Sequence, residues 1–310
     1  MVSINTIAAL LIKYRLKNGL FMIRQTLSFI GETFLGSSVI LTAKAIFDSR
    51  LRGPVSNIQD QKIDKWCSNI RQDGVCMVDN FLPTHECVNL RKEIDFLMNL
   101  YLDSVQLDEH EADQRLFLGG TAPGQIGSIY GDPRLATCAS AFLGIGAENL
   151  ATIAGRLNMI PGNHGSGGGW HRDSFTNQFK AIIYLSDVGK DNGPFQYLRG
   201  SHSLSSMICD RQRAELGVMQ SRVRNDQISK LVDRNPARLM TLTGGPGTLM
   251  LADTTGLHRG MPITAGSRYA LTNYYFAPNT LTASRKDHFK PILGVHVPYI
   301  HTANSSIDSM

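Results

Sequence analysis

The stretch FKAIIYLSDVGKDNGPFQYLRG, residues 179–200, reads as two short strands, 179–188 and 195–200, joined by a turn. Asp191-Asn192-Gly193-Pro194 makes that turn, because Asn and Gly accept unusual backbone angles and Pro fixes its own. Comparable β-branched and aromatic runs recur at 151–160, 248–253 and 269–277. One basic and acidic insert, 204–237, is compatible with helix and interrupts them. Many short strands with glycine and proline turns point to a β-sandwich or jelly roll rather than a parallel sheet. The expected fold class is mainly β with flanking helices.

Upstream of this block, residues 58–74 carry a helical pattern that ends near Gly74, and 75–82 alternate as a strand. Pro83-Thr84 opens a further helix, with Thr84 as the expected N-cap and Val88, Leu90, Ile94, Leu97 and Tyr101 at helical spacing. Residues 104–134 are polar, acidic and glycine-rich, which suggests a long surface loop with little regular structure. A short apolar helix is expected near LATCASAFLG, residues 135–144. The tail, 279–310, shows no periodicity.

The charge is placed unevenly. Residues 1–53 hold seven basic side chains against Glu32 and Asp48, and the remainder is balanced at 24 of each sign. A neutral body argues against nucleic-acid binding, which stripes a folded face with Lys and Arg. The leader, 1–53, is basic and amphipathic, with Ile4, Ile7, Ala8, Leu11 and Tyr14 on one helical face. Two readings stand for it: helices packed on the domain or on a second subunit, or a segment making peripheral contact with an anionic membrane surface. Arg24, Glu32 and Lys44 interrupt every window long enough to span a bilayer. Charges follow, rather than precede, the first apolar run, which disfavours a signal peptide. Five cysteines without a C-x-x-C pair favour a reducing, cytoplasmic setting over a disulfide framework. The chain thus divides into the leader and a single domain, 54–310, that carries the insert. Oligomeric state leaves no mark in the sequence.

The chemistry gathers in GGGWHRDSF, residues 167–175, and LHRGMPITAGSR, residues 257–268. His171 and Asp173 are separated by one residue, so an extended backbone projects both from one side. His258 comes much later in the chain and supplies a second imidazole. Two imidazoles and one carboxylate suit one face of a ferrous ion and leave the other positions open. Arg268 follows on a strand and is suited to a bidentate bond with a carboxylate. The glycines before His171 let backbone approach the site closely. GSGGG, residues 165–169, lacks the Gly-Lys-Ser/Thr of a phosphate loop, and no G-x-S-x-G elbow accompanies Ser174. His164, Trp170 and Tyr184 are secondary candidates near the entrance or wall, each with solvation or core packing as the simpler role.

The block WHRDS…DNGPFQYLRGSHS…HRGMPITAGSRYALTNYYF resembles the phytanoyl-CoA dioxygenase branch of the Fe(II)/2-oxoglutarate oxygenases. IRQDGVCMVDNFLPTHECVNLRKEI resembles that family's usual opening, so the likeness spans about residues 60–278. The resemblance implies a double-stranded β-helix in which His171, Asp173 and His258 bind iron. It implies that Arg268 holds the far carboxylate of 2-oxoglutarate and that Asn158 is a further co-substrate contact. Family members often carry a hydroxyl two residues after the distal His, where this chain has Gly260. The halogenating relatives lack the carboxylate that Asp173 supplies. The implied reaction consumes O2, converts 2-oxoglutarate to succinate and CO2, and hydroxylates a small-molecule or lipid-like substrate. Two rivals remain: a cupin-type metal enzyme without 2-oxoglutarate, which has no use for Arg268, and a non-catalytic β-domain. Pocket walls are expected largely from 104–134 and the insert.

Overall fold

Local signals bound helix α1 (Gln61–Asp73). Asp60 accepts from the amides of Lys62 and Ile63, and Gly74, at φ 87°, donates its N–H to Ile70 O. A left-handed C-terminal residue is cheap for glycine alone. A Cβ there would also stand 2.2 Å from the Tyr197 hydroxyl. The computed structural model describes residues 60–290 apart from 121, 123, 145, 176, 177 and 218, together with 39, 41 and 42. Both readings of the 1–53 leader therefore fall almost wholly outside the described residues.

The chain continues through β1 (Val75–Val78), α2 (Thr84–Leu100), β2 (Gln106–Leu107), β3 (Asp113–Leu118), α3 (Gly124–Tyr130), α4 (Pro133–Leu143) and β4 (Glu148–Asn158). After the glycine-rich stretch come β5 (Phe179–Tyr184), β6 (Phe195–Leu198), α5 (Leu204–Arg213) and α6 (Asn225–Val232). The remaining elements are β7 (Leu239–Leu242), β8 (Leu249–Asp253), β9 (His258–Gly260), β10 (Ser267–Phe276) and α7 (Ala283–His288). No helix among the described residues is long and apolar enough to cross a membrane.

Seven strands form one antiparallel sheet in the order β1-β8-β5-β10-β4-β3-β2, and β7-β6-β9 form a second. The expectation of a mainly β, jelly-roll core with flanking helices is met. Strand parity assigns the two faces of the large sheet. Ala181 and Ile183 of β5, Leu249 and Leu251 of β8, and Leu271 of β10 pack under the helices, against Cys67, Ile70, Leu90, Ile94 and Phe142. Truncating one of these, Leu251→Ala, costs about 2–5 kcal/mol by the usual transfer and cavity terms. The opposite face meets the small sheet, where Tyr184, Met250 and Ala252 pack against Phe195, Tyr197 and Leu242. Beside that inter-sheet core the two sheets part, and the cavity opens. All five cysteines are free, and the four buried ones act as small apolar side chains.

The expectation of a structureless 104–134 is overturned. It holds β3, an integral strand with Leu116, Phe117 and Leu118 buried, and helix α3 with Ile126 and Ile129 buried. Its acidic residues cluster in the turn before β3, where Asp108 Oδ1 accepts from the amides of Ala112 and Asp113. They disguised a strand that begins five residues later. Thr84 is not the cap of α2: Pro83 holds that position, and no side chain bonds the helix start. Strand β5 stops at Tyr184 rather than residue 188, and β7 went unread because Leu239–Leu242 adjoins the insert. The insert itself is helical, as expected, and the described part of the aperiodic tail contains a short helix, α7.

Candidate metal centre

His171 and His258 meet through the backbone. The amide of each donates to the carbonyl of the other at 2.9 Å, an isolated antiparallel bridge between the glycine-rich segment and β9. Asp173 N donates to Thr254 O at 3.0 Å, which extends the register and turns the Asp173 side chain the same way as His171. The glycines make this approach feasible. A Cβ on Gly165 would stand 2.3 Å from Met261 O, and one on Gly167 would stand 2.6 Å from His171 Cε1.

One ligand atom from each of His171, Asp173 and His258 lies within 4.8 Å of the others. Asp173 Oδ1 is 3.4 Å from His171 Nε2 and 3.7 Å from His258 Nε2, and the ring centres are 4.3 Å apart. Both imidazoles are oriented in the same manner. Nδ1 of His171 faces Gly169 O at 2.8 Å, and Nδ1 of His258 faces Gly256 O at 2.9 Å. Donation from Nδ1 leaves the Nε2 lone pair pointing inward, the arrangement that suits a metal ligand. Nε2 of His258 is buried with no hydrogen-bond partner. An orphaned acceptor of this kind, beside a carboxylate and a second imidazole, fits a divalent metal of the Fe(II) type.

The electrostatics keep the donors in ligand form. Burial alone would raise the Asp173 pKa, but Lys180, whose Nζ is 2.5 Å from Oδ2, and the two imidazoles hold it well below the usual carboxylate range. Burial, reinforced by His171, pushes His258 well below an ordinary imidazole. Both are therefore ready to bind a cation without first losing a proton.

The three donors open into a cavity of about 480 Å³ between the sheets. Register across the large sheet lines its wall in four rows. Asp113, Leu157 and Arg268 form the first; Arg115, Gly155, Ala270 and Tyr184 form the second. Phe117, Ile153, Thr272 and Ile182 form the third, and Lys180 pairs with Tyr274 in the fourth. Arg268 is 8% exposed and donates Nη1 to Gly193 O, while its Nε has no partner. No carboxylate among the described residues forms an ion pair with it. Burial lowers its pKa, the mark of a guanidinium deprived of water. It can take a carboxylate from a ligand in the cavity.

Asn158 is not among the lining residues; its Oδ1 accepts from Ser267 Oγ at 2.9 Å. Gly260 lines the wall with Ser166 packed against it, a Cβ at 260 falling 2.9 Å from that of Ser166. Trp170 belongs to the core beneath the insert, with Leu198, Val223 and Ile228. Tyr184 lines the cavity and accepts from Phe195 N while donating to Leu242 O. His164 is a surface residue, 60% exposed, 3.1 Å from Glu109. Among the described residues the insert contributes Ser221 and Arg222, whereas β3 contributes Asp113, Arg115 and Phe117. Sequence reading missed Lys180. Its signal was present: a lone cation two residues from Ile182 in an apolar strand shares the parity of the cavity face.

Comparison with known proteins places the chain in a family and a fold. The model of the phytanoyl-CoA dioxygenase (PhyH) family matches residues 70–270. No curated protein matches the chain in the sequence comparison. Among solved structures, EctD from S. alaskensis with 2-oxoglutarate and 5-hydroxyectoine is 17% identical, with a TM-score of 0.54 over 74% of this chain and 83% of that one. The epimerase SnoN, solved with Fe3+, alpha ketoglutarate and nogalamycin RO, is 14% identical, with a TM-score of 0.53 over 76% and 91%. HygX from Streptomyces hygroscopicus, solved with nickel and 2-oxoglutarate, is 19% identical, with a TM-score of 0.51 over 70% and 88%. At these identities the likeness establishes the shared fold.

Proposed function

The chain belongs to the phytanoyl-CoA dioxygenase family, and from that premise we propose that it hydroxylates an unactivated carbon of a small-molecule or lipid-like substrate. The family's cofactors are Fe(II), 2-oxoglutarate and O2. In this reading residues 54–310 act as one catalytic domain, His171, Asp173 and His258 hold the iron, and Arg268 receives the distal carboxylate of 2-oxoglutarate. The observation that carries it is Arg268: one cavity presents three metal-type donors and a buried guanidinium without a carboxylate partner. A cupin-type enzyme that dispenses with 2-oxoglutarate would bury that cation to no purpose, at a cost in desolvation.

Bound iron and 2-oxoglutarate supply the oxidising chemistry, with succinate and CO2 as the co-products. The protein's part is placement. Gly169 O and Gly256 O fix the two rings through Nδ1, and Lys180 holds the second oxygen of Asp173. Arg268 would hold the distal carboxylate of the co-substrate, and Leu157, Ile153 and Ile182 would keep water from the reacting carbon. No side chain has to act as an acid or a base.

Succinate release from 2-oxoglutarate by the anaerobically iron-loaded chain, started by admitting air, tests the proposal. The expected result is oxygen-dependent succinate that Asp173→Ala abolishes. An iron-loaded chain that neither binds nor consumes 2-oxoglutarate would return the assignment to the cupin-type rival.

A further inference from the structure

Two cations in the cavity have no substrate-facing part in the reading above, where Lys180 only steadies Asp173 and Arg285 does not figure. Lys180 has a side chain only 8% exposed; its Nζ is 2.5 Å from Asp173 Oδ2 and 4.5 Å from the centre of the Tyr274 ring. Arg285, from α7, lies 4.9 Å over Phe276 and donates Nη1 to Thr280 O. Phe289 joins the two neighbourhoods, with ring centres 4.8 Å from Tyr274 and 5.3 Å from Phe276. Lys180 and Arg285 thus flank one aromatic wall. Arg268 lies six residues from Tyr274 along β10, about 20 Å at strand spacing, so these two cations serve a different end of the cavity.

Charge matching leaves both over. Among the described lining residues the carboxylates are Asp113 and Asp173. Asp113 is matched by Arg115 at 2.5 Å, Arg172 is committed to the carbonyls of Ser201 and Thr255, and Arg222 to those of Gly167 and Gly168. Fe(II) on Asp173 leaves one net positive charge, which with Arg268 balances the two carboxylates of 2-oxoglutarate. Lys180 would then share its one carboxylate, Asp173, with the metal, and Arg285 has no carboxylate partner among the described lining residues. A buried ammonium that shares its only carboxylate with a metal gains from a further anion.

We propose that Lys180 and Arg285 recognise an anionic oxygen group on the substrate, a carboxylate or a phosphate, with the carbon skeleton laid against Phe117, Tyr274 and Phe289. The inference rests on the oxygenase reading and adds the substrate's charge to it. The competing role for Lys180 is solely to orient Asp173, and Arg285 separates the two because its contacts with Thr280 and Phe276 lie outside the metal centre.

The test uses the full chain loaded anaerobically with Fe(II) and 2-oxoglutarate, whose visible charge-transfer absorption reports changes beside the iron. It is titrated with 3-phenylpropanoate, 3-phenylpropyl phosphate and the neutral 3-phenylpropanol. At least one anion should perturb the absorption at a concentration about tenfold below the alcohol, the worth of one charge-assisted hydrogen bond. The anion that does so identifies the head group. Arg285→Gln should narrow that advantage, whereas Lys286→Gln, exposed on the same helix, should keep it. Equal response to anions and alcohol, or an advantage untouched by Arg285→Gln, overturns the inference alone. Absorption that never forms with 2-oxoglutarate overturns the oxygenase reading and this inference together.

Discussion

The Nε2 atom of His258 lies 3.7 Å from Asp173 Oδ1, buried and without a hydrogen-bond partner, while Nδ1 of the same ring faces Gly256 O at 2.9 Å. The backbone thereby decides which nitrogen points inward, and the inward one has nothing in the protein to bond. His171 repeats the pattern with Gly169 O. A chain that orphans one acceptor while tethering its sister nitrogen has been shaped around a ligand.

Asp173 also neutralises Lys180, so its loss has a consequence in the metal-free chain. Asp173→Asn should lower the stability of that chain by about 3 kcal/mol, because a buried ammonium loses its carboxylate. Adding Lys180→Met should recover most of the loss. Urea unfolding of the two variants without iron checks this, and equal midpoints for single and double variants would contradict it.

Two neighbouring glycines should respond differently to the same change. Gly167 and Gly169 have φ of +85° and +88°, so alanine at either strains the backbone by about 1–2 kcal/mol. Only at Gly167 does the new methyl meet His171, at 2.6 Å; at Gly169 it meets nothing within 4 Å. Gly167→Ala should therefore weaken iron binding at least about tenfold more than Gly169→Ala, a small displacement at the site being enough. Calorimetric titration of both with Fe(II) decides it.

Arg268→Met should leave iron affinity near its original value and weaken 2-oxoglutarate binding about a hundredfold, the loss of a bidentate, desolvated pair. The metal-free variant should unfold no earlier than the parent, since the guanidinium has an unpartnered Nε and no carboxylate to lose. Equilibrium binding of 2-oxoglutarate to the iron-loaded variant reads the first effect, and thermal unfolding the second.

The insert should prove structural rather than catalytic. Asp210 is fully buried on α5 and receives both Nη atoms of Arg238 at 2.7 Å, which ties the insert to the start of β7. Asp210→Ala should destabilise the chain by about 3–5 kcal/mol by leaving a buried cation unpaired. Iron affinity should change by no more than about twofold, as expected for distant sites.

The parts legible in the sequence were those with local signatures. Gly74 ended α1, the β-branched and aromatic run in 179–188 marked β5, and Asp191–Pro194 marked the turn. His171 and Asp173 declared themselves by their one-residue gap after a run of glycines. The illegible parts depended on pairing. β3 is polar at its start because Asp113 and Arg115 face a cavity rather than water, so its first turn reads as loop. β9 is three residues long and exists through its partner β6. Lys180 acquires its meaning only from Asp173 and Tyr274, neither adjacent in sequence. Asn158, singled out by position on its strand, bonds Ser267 at the rim of the sheet instead of lining the cavity.

Anaerobic titration of the metal-free chain with Fe(II) tests the central claim most directly, read by calorimetry beside a His258→Ala variant. The account predicts one tight site per chain, lost in the variant while its unfolding midpoint stays close to the parent's. Undiminished tight binding in His258→Ala, or no iron binding by the parent, would contradict it.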